Sequence, residues 1–139
     1  MSDENKAKVL RLISETEAGN LDVIDELIAE DPVEHNPFPG QAPGREGVKQ
    51  AFQMLSTAFP DLHNEIHAVV AEGDKVAVHS TLRGTHQGEF MGTAATGKEV
   101  AADSIDIVRF EDGLMVEHWG LLDAPALLMQ IGAMPAPGS

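Results

Sequence analysis

Residues 100–123 read VAADSIDIVRFEDGLMVEHWGLLD, and this stretch decides the fold. Val100 to Phe110 and Leu114 to Asp123 are rich in β-branched and other apolar residues, and Glu111-Asp112-Gly113 separates them with turn chemistry. That pattern predicts a β-hairpin. Ile105 and Ile107 fall on one face of its first strand, and Asp106 and Val108 fall on the other. Both faces therefore carry apolar residues, so the sheet has something to bury on each side.

Upstream, Leu62 to Ala71 and Val76 to Thr85 predict a second long hairpin, turning at Glu72-Gly73-Asp74-Lys75. The glycine-rich run from Gly84 to Gly92 then permits a bend before a turn at Thr96-Gly97-Lys98. Before Pro60 the periodicity is helical. Val9, Leu12, Ile13 and Thr16 mark a first helix from Lys6. Leu21, Ile24, Leu27 and Ile28 mark a second, which Asp31-Pro32 ends because the residue before proline disfavours the α region. The proline- and glycine-rich stretch from His35 to Gly44 is a loop. Val48, Phe52, Leu55 and Phe59 share one face of a third helix. Pro125 to Ile131 supplies a last short helix, and the end from about residue 133 is a flexible tail.

Helices followed by four strands predict a single α+β domain over residues 1–139, with a curved antiparallel sheet wrapped around the N-terminal helices. The expected shape is a cone with one apolar pocket.

Composition excludes several function classes. Twenty-three acidic against nine basic residues give a formal charge of −14, which repels phosphate backbones and anionic lipid, so neither nucleic acid nor membrane is an expected partner. The chain has no cysteine and no apolar run long enough to span a bilayer, and its first residues lack the pattern of a secretory signal. A cytoplasmic location is expected. The apolar residues on both sheet faces predict a homodimer through the outer one.

Asp106 and Asp123 each sit beside apolar residues, and a carboxyl group in an apolar pocket gains a raised pKa suited to acid or base work. Asp123 equally suits the N-cap of the helix beginning near Ala124-Pro125. His63, Glu65 and His67 alternate on one strand face, with His86 placed near them if the hairpin closes at Gly73-Asp74. Those four have the chemistry of a divalent metal site, or of a plain solvated face.

Taken in order, Phe59-Pro60-Asp61-Leu62-His63, Gly73-Asp74-Lys75-Val76, Gly84-Thr85-His86-Gln87-Gly88, Thr96-Gly97-Lys98, Arg109-Phe110-Glu111-Asp112-Gly113, Glu117-His118-Trp119 and Asp123 resemble the SnoaL-like polyketide cyclases of the nuclear transport factor 2-like superfamily. The resemblance implies ring closure by intramolecular aldol condensation on a small apolar carbonyl compound, without metal or organic cofactor. It implies Asp123 as the catalytic aspartate and His35 as a second pocket residue. A further likeness, to ketosteroid isomerase, implies Asp106 as a hydrogen-bond donor; that isomerase is a worked example of a protonated aspartic acid in an oxyanion hole. Phe38, Phe52, Phe59, His86, Phe90 and Trp119 are the expected substrate-binding walls. The chain has no tyrosine, so any pocket contact a relative makes through tyrosine must be replaced. Isomerisation, epoxide hydrolysis, or ligand binding without catalysis are the alternatives on the same pocket.

Overall fold

The computed structural model describes residues 2–135; the last residues of the expected tail lie outside them. Helices α1 (Ser2–Glu17) and α2 (Asp22–Leu27) lead into strand β1 (Ile28–Glu34), and α3 (Gly44–Ala58) follows. Strands β2 (His63–Glu72), β3 (Lys75–Thr85), β4 (Glu99–Glu111) and β5 (Leu114–Leu122) come next, and α4 (Ala124–Gln130) closes the chain.

The sheet order is β1-β5-β4-β3-β2, antiparallel throughout except that β1 runs parallel to β5. The α+β class and the curved sheet over the helices are as expected. β1 is the addition. The stretch expected to end the second helix and begin a loop is an edge strand instead, and Asp31-Pro32 lies inside it. Proline is tolerated at a sheet edge, and the residue before it prefers extended backbone. The dipeptide that stops a helix there therefore also fits a strand.

The core divides in two. One cluster packs Val9, Leu12, Ile24 and Leu27 of the first helices on Val76, Val78, Val108, Phe110 and Met115 of the sheet. The other packs Ala58, Phe59 and Phe90 with Leu82, Val100, Ala102, Leu127 and Ile131. A cavity stays open beside the first cluster, because α1 and α3 lie across the concave sheet face without closing on it. No helix among the described residues is long and apolar enough to cross a membrane.

One irregularity governs which strand residues face inward. Next to the turn, Glu111 pairs with Leu114 and Phe110 with Met115. Between Phe110 and Arg109 the register shifts, so Arg109 pairs with Glu117, Val108 with His118, Ile107 with Trp119 and Asp106 with Gly120. An unshifted hairpin would set Trp119 opposite Asp106 on the inner face. With the extra residue in β5, every later side chain of that strand turns over.

Candidate active site

The cavity has a volume of about 240 Å³ and is walled by apolar side chains. Leu12 and Ile13 come from α1, Val48, Phe52 and Leu55 from α3, and Val78, Leu82 and Val108 from the sheet. Phe38, from the loop after β1, borders it as well. An apolar cavity of roughly 150 Å³ holds one benzene ring, so this space suits about two fused rings.

Polar groups gather at one end. His118 projects inward from β5 because of the register shift, and its ring lies between two carboxylates. Nδ1 is 2.6 Å from Glu34 Oε1 of β1, and Nε2 is 2.8 Å from Asp106 Oδ1 of β4. Ser104 Oγ donates to the other Asp106 oxygen at 3.1 Å. Burial alone would lower the His118 pKa, but the hydrogen bonds to Asp106 and Glu34 and their negative charges outweigh it and push it up to about 9. The ring is therefore an imidazolium at neutral pH, and each N–H donates to a carboxylate. Asp106 and His118 each keep 35% of their side-chain surface accessible, so the pair is reachable from the cavity.

Asn36 stands beside them. Its Oδ1 accepts the Gly120 N–H at 3.1 Å, which leaves the amide N–H₂ to donate toward the cavity that Asn36 lines. Gly120 is required by this arrangement. A Cβ there would lie 2.6 Å from His118 Cε1 and 2.8 Å from Asp106 Oδ1, both too close for any real contact.

The expected site residues divide. Asp106, Phe38 and Phe52 line the cavity. Asp123 does not: it is exposed, and its Oδ1 accepts the Ala126 N–H at 3.1 Å as the N-cap of α4, with Pro125 in the first turn. It follows Leu122, which faces the cavity, so strand alternation turns its carboxylate outward. His35 also lies outside, with Nε2 2.7 Å from Glu117 Oε2 and its ring stacked on Trp119 at 4.7 Å between centroids. Trp119 is on the outer face for the register reason already given. Glu117 is held ionised below its usual range, first by Arg109 and then by His35. Phe59 and Phe90 are fully buried in the second cluster, His86 is fully buried beside Phe59, and none of the three borders the cavity. His86 Nδ1 accepts the Thr96 N–H at 3.2 Å, and its ring sits 5.9 Å from that of Phe59.

His63, Glu65, His67 and His86, the four residues with the chemistry of a metal site or of a solvated face, do not converge. His86 is buried away from the others, His63 faces Glu17 at 3.4 Å, and Glu65 faces Arg83 at 3.3 Å. Sequence reasoning missed Glu34, Asn36, His118 and Gly120. Glu34 and Asn36 were hidden with β1 and its end. His118 and Gly120 needed the hairpin register, which turn residues alone do not reveal.

The SnoaL-like polyketide cyclase family model matches residues 7–131. The aklanonic acid methyl ester cyclase DauD of Streptomyces sp. (strain C5) is 28% identical over 130 residues, covering 89% of this chain and 79% of DauD. DnrD of Streptomyces peucetius, an enzyme of the same name, is also 28% identical over 130 residues and is covered over 88% of its length. Among solved structures, IdmH from Streptomyces antibioticus superposes with a TM-score of 0.78 at 36% identity, covering 91% of this chain and 96% of IdmH.

Proposed function

Because the chain belongs to the SnoaL-like polyketide cyclase family, we propose that it closes a ring in a small, largely apolar carbonyl compound by acid–base catalysis, with Asp106 as the base. One observation carries this reading: the Asp106 carboxylate, oriented by His118 and Ser104, stands at the polar end of a largely apolar cavity.

In the proposed reaction Asp106 takes a proton from a carbon flanked by carbonyl groups. The electron pair of that C–H bond becomes an enolate, and the Asn36 amide donates to its oxygen. The enolate carbon then bonds to a second carbonyl carbon of the same molecule, whose π pair moves onto oxygen. The protonated Asp106 returns its proton to that alkoxide. Proton and charge balance within the substrate and one carboxyl group, so no cofactor is needed. His118 is a positioning residue: both its N–H groups are engaged by carboxylates, and Glu34 shares its charge so that Asp106 is not fully neutralised. The apolar walls hold a flat ring system and keep water from the enolate.

The test separates proton abstraction from ring closure. A soluble 1,3-diketone is incubated with the protein in D₂O, and exchange at the central carbon is followed by NMR at early times, against the buffer rate. Closure of aklanonic acid methyl ester, the compound in the names of DauD and DnrD, is followed separately. Asp106→Asn should lower both rates by ~100-fold or more while leaving ligand affinity little changed. Full exchange activity in folded Asp106→Asn would overturn the assignment of the base.

A further inference from the structure

The outer sheet face carries a second cluster that the proposed chemistry does not use. His67, His79 and Asp103 come from the three adjacent strands β2, β3 and β4, and one potential ligand atom of each lies within 4.8 Å of the other two. Their convergence has a local cause. The β2–β3 register shifts between Ile66 and Ala68, leaving His67 without a paired partner. Such a bulge re-aims its side chain. The His67 ring leans across β3, with its centroid 4.8 Å from that of His79 and Nε2 2.6 Å from Thr81 Oγ1. Thr81 in turn donates to Asp103 Oδ1 at 2.8 Å, so the carboxylate is held by a neighbour that need not move.

We propose that His67, His79 and Asp103 bind a zinc-class divalent transition-metal ion, with water completing its coordination. Two imidazoles and a carboxylate favour such an ion over magnesium or calcium, which take all-oxygen sites. Tetrahedral bonds of the usual length bring ligand atoms to about 3.4 Å from one another. Closing from 4.8 Å needs side-chain rotation by three exposed residues, with His67 exchanging its bond to Thr81 for the ion. Thr81, bonded to Asp103, becomes the outer partner that orients a ligand. Around the site, Glu65 lies 3.7 Å from His67 Nε2, while Asp123 borders the same shallow depression and its N–H donates to Asp103 O at 2.9 Å. The net charge of −14 favours a cation here too. The ion ties three strands together on the face opposite the cavity, and its expected effect is to raise the stability of the sheet.

The full chain, freed of metal by a chelator that is then removed, is titrated with zinc by calorimetry and with cobalt(II) by visible absorption. One ion per chain is expected, with the intense visible bands of four-coordinate cobalt and a higher melting temperature. His79→Ala and Asp103→Asn should each weaken binding by ~100-fold or more, and Thr81→Val by about tenfold. His63→Ala, on the same strand but facing Glu17, should leave it unchanged. Circular dichroism verifies the fold of each variant, and the conservative Asp103→Asn keeps the test open should His79→Ala unfold. Absence of binding at millimolar metal, or binding that His79→Ala and Asp103→Asn leave intact, would overturn the site.

Discussion

Gly120 stands directly across the β4–β5 ladder from Asp106, and the missing side chain of the one is the space in which the carboxylate of the other meets His118. Backbone strain is not the reason for glycine at this position; close approach is. Gly120→Ala should therefore push the imidazole and carboxylate apart while leaving the sheet formed. Overpacking of this kind costs roughly 1–3 kcal/mol, and displacement of a reacting group by about 1 Å costs on the order of 100-fold in rate. Thermal denaturation beside diketone exchange reads both effects. An alanine variant with full activity would show that the contact does not matter for the chemistry.

The His118 pKa of about 9 makes stability depend on alkali. The group is raised above its unfolded value of about 6.5, so its contribution is fully present below that pH and fades as pH rises through about 9. Loss of the proton removes one of the two donors that hold Glu34 and Asp106. The melting temperature of the wild-type protein should fall between pH 6.5 and 9.5 more than that of His118→Gln, measured in the same buffers. Parallel curves would mean that His118 is not the titrating group.

The helices, both long hairpins and the inward Asp106 were legible in the sequence because each rests on periodicity over many residues. What was not legible depends on single residues in pairing. An extra residue in β5 near Val116 turns His118 inward and Trp119 outward, and no propensity marks where such a residue will sit. β1 escaped for another reason: an edge strand containing Asp31-Pro32 lacks clean alternation and carries the usual signal of a helix stop. Asn36, at the end of that strand, was passed over in favour of its neighbour His35, whose ring stacks outside on Trp119. The family resemblance pointed to a pocket between the sheet and the helices, and the register decides which residues reach the cavity found there.

The outer face is also where self-association is expected. Leu121, Val70 and Ile105 are 69%, 62% and 53% exposed, and Leu121 pairs directly with Ile105. On a chain of charge −14, large apolar side chains left in water on the outer sheet face favour a second copy of the same face. Sedimentation at micromolar concentration, with a chelator present so that the outer histidines bridge nothing, should give twice the mass of 14.8 kDa. Leu121→Arg should return the protein to a single chain. A wild-type protein that sediments only as the monomer would dispose of this expectation.

Asp106 and Asp123 offer the sharpest contrast, because family position favours Asp123 and geometry favours Asp106. The Asp123 carboxylate accepts the Ala126 N–H, one of the first donors of α4 that the helix itself cannot satisfy. Removing that acceptor in Asp123→Ala should cost roughly 1 kcal/mol of stability, the usual worth of an N-cap. Asp123→Ser, which restores an acceptor of similar reach, should recover most of it. Neither change alters the cavity wall, since Leu122 and not Asp123 faces it. Diketone exchange and ring closure should therefore stay within about twofold of wild type in both variants, below the ~100-fold that loss of a general base produces. If Asp123→Ser keeps its stability yet loses activity as Asp106→Asn does, then Asp123 carries the chemistry, and α4 must move in solution to bring its carboxylate to the substrate.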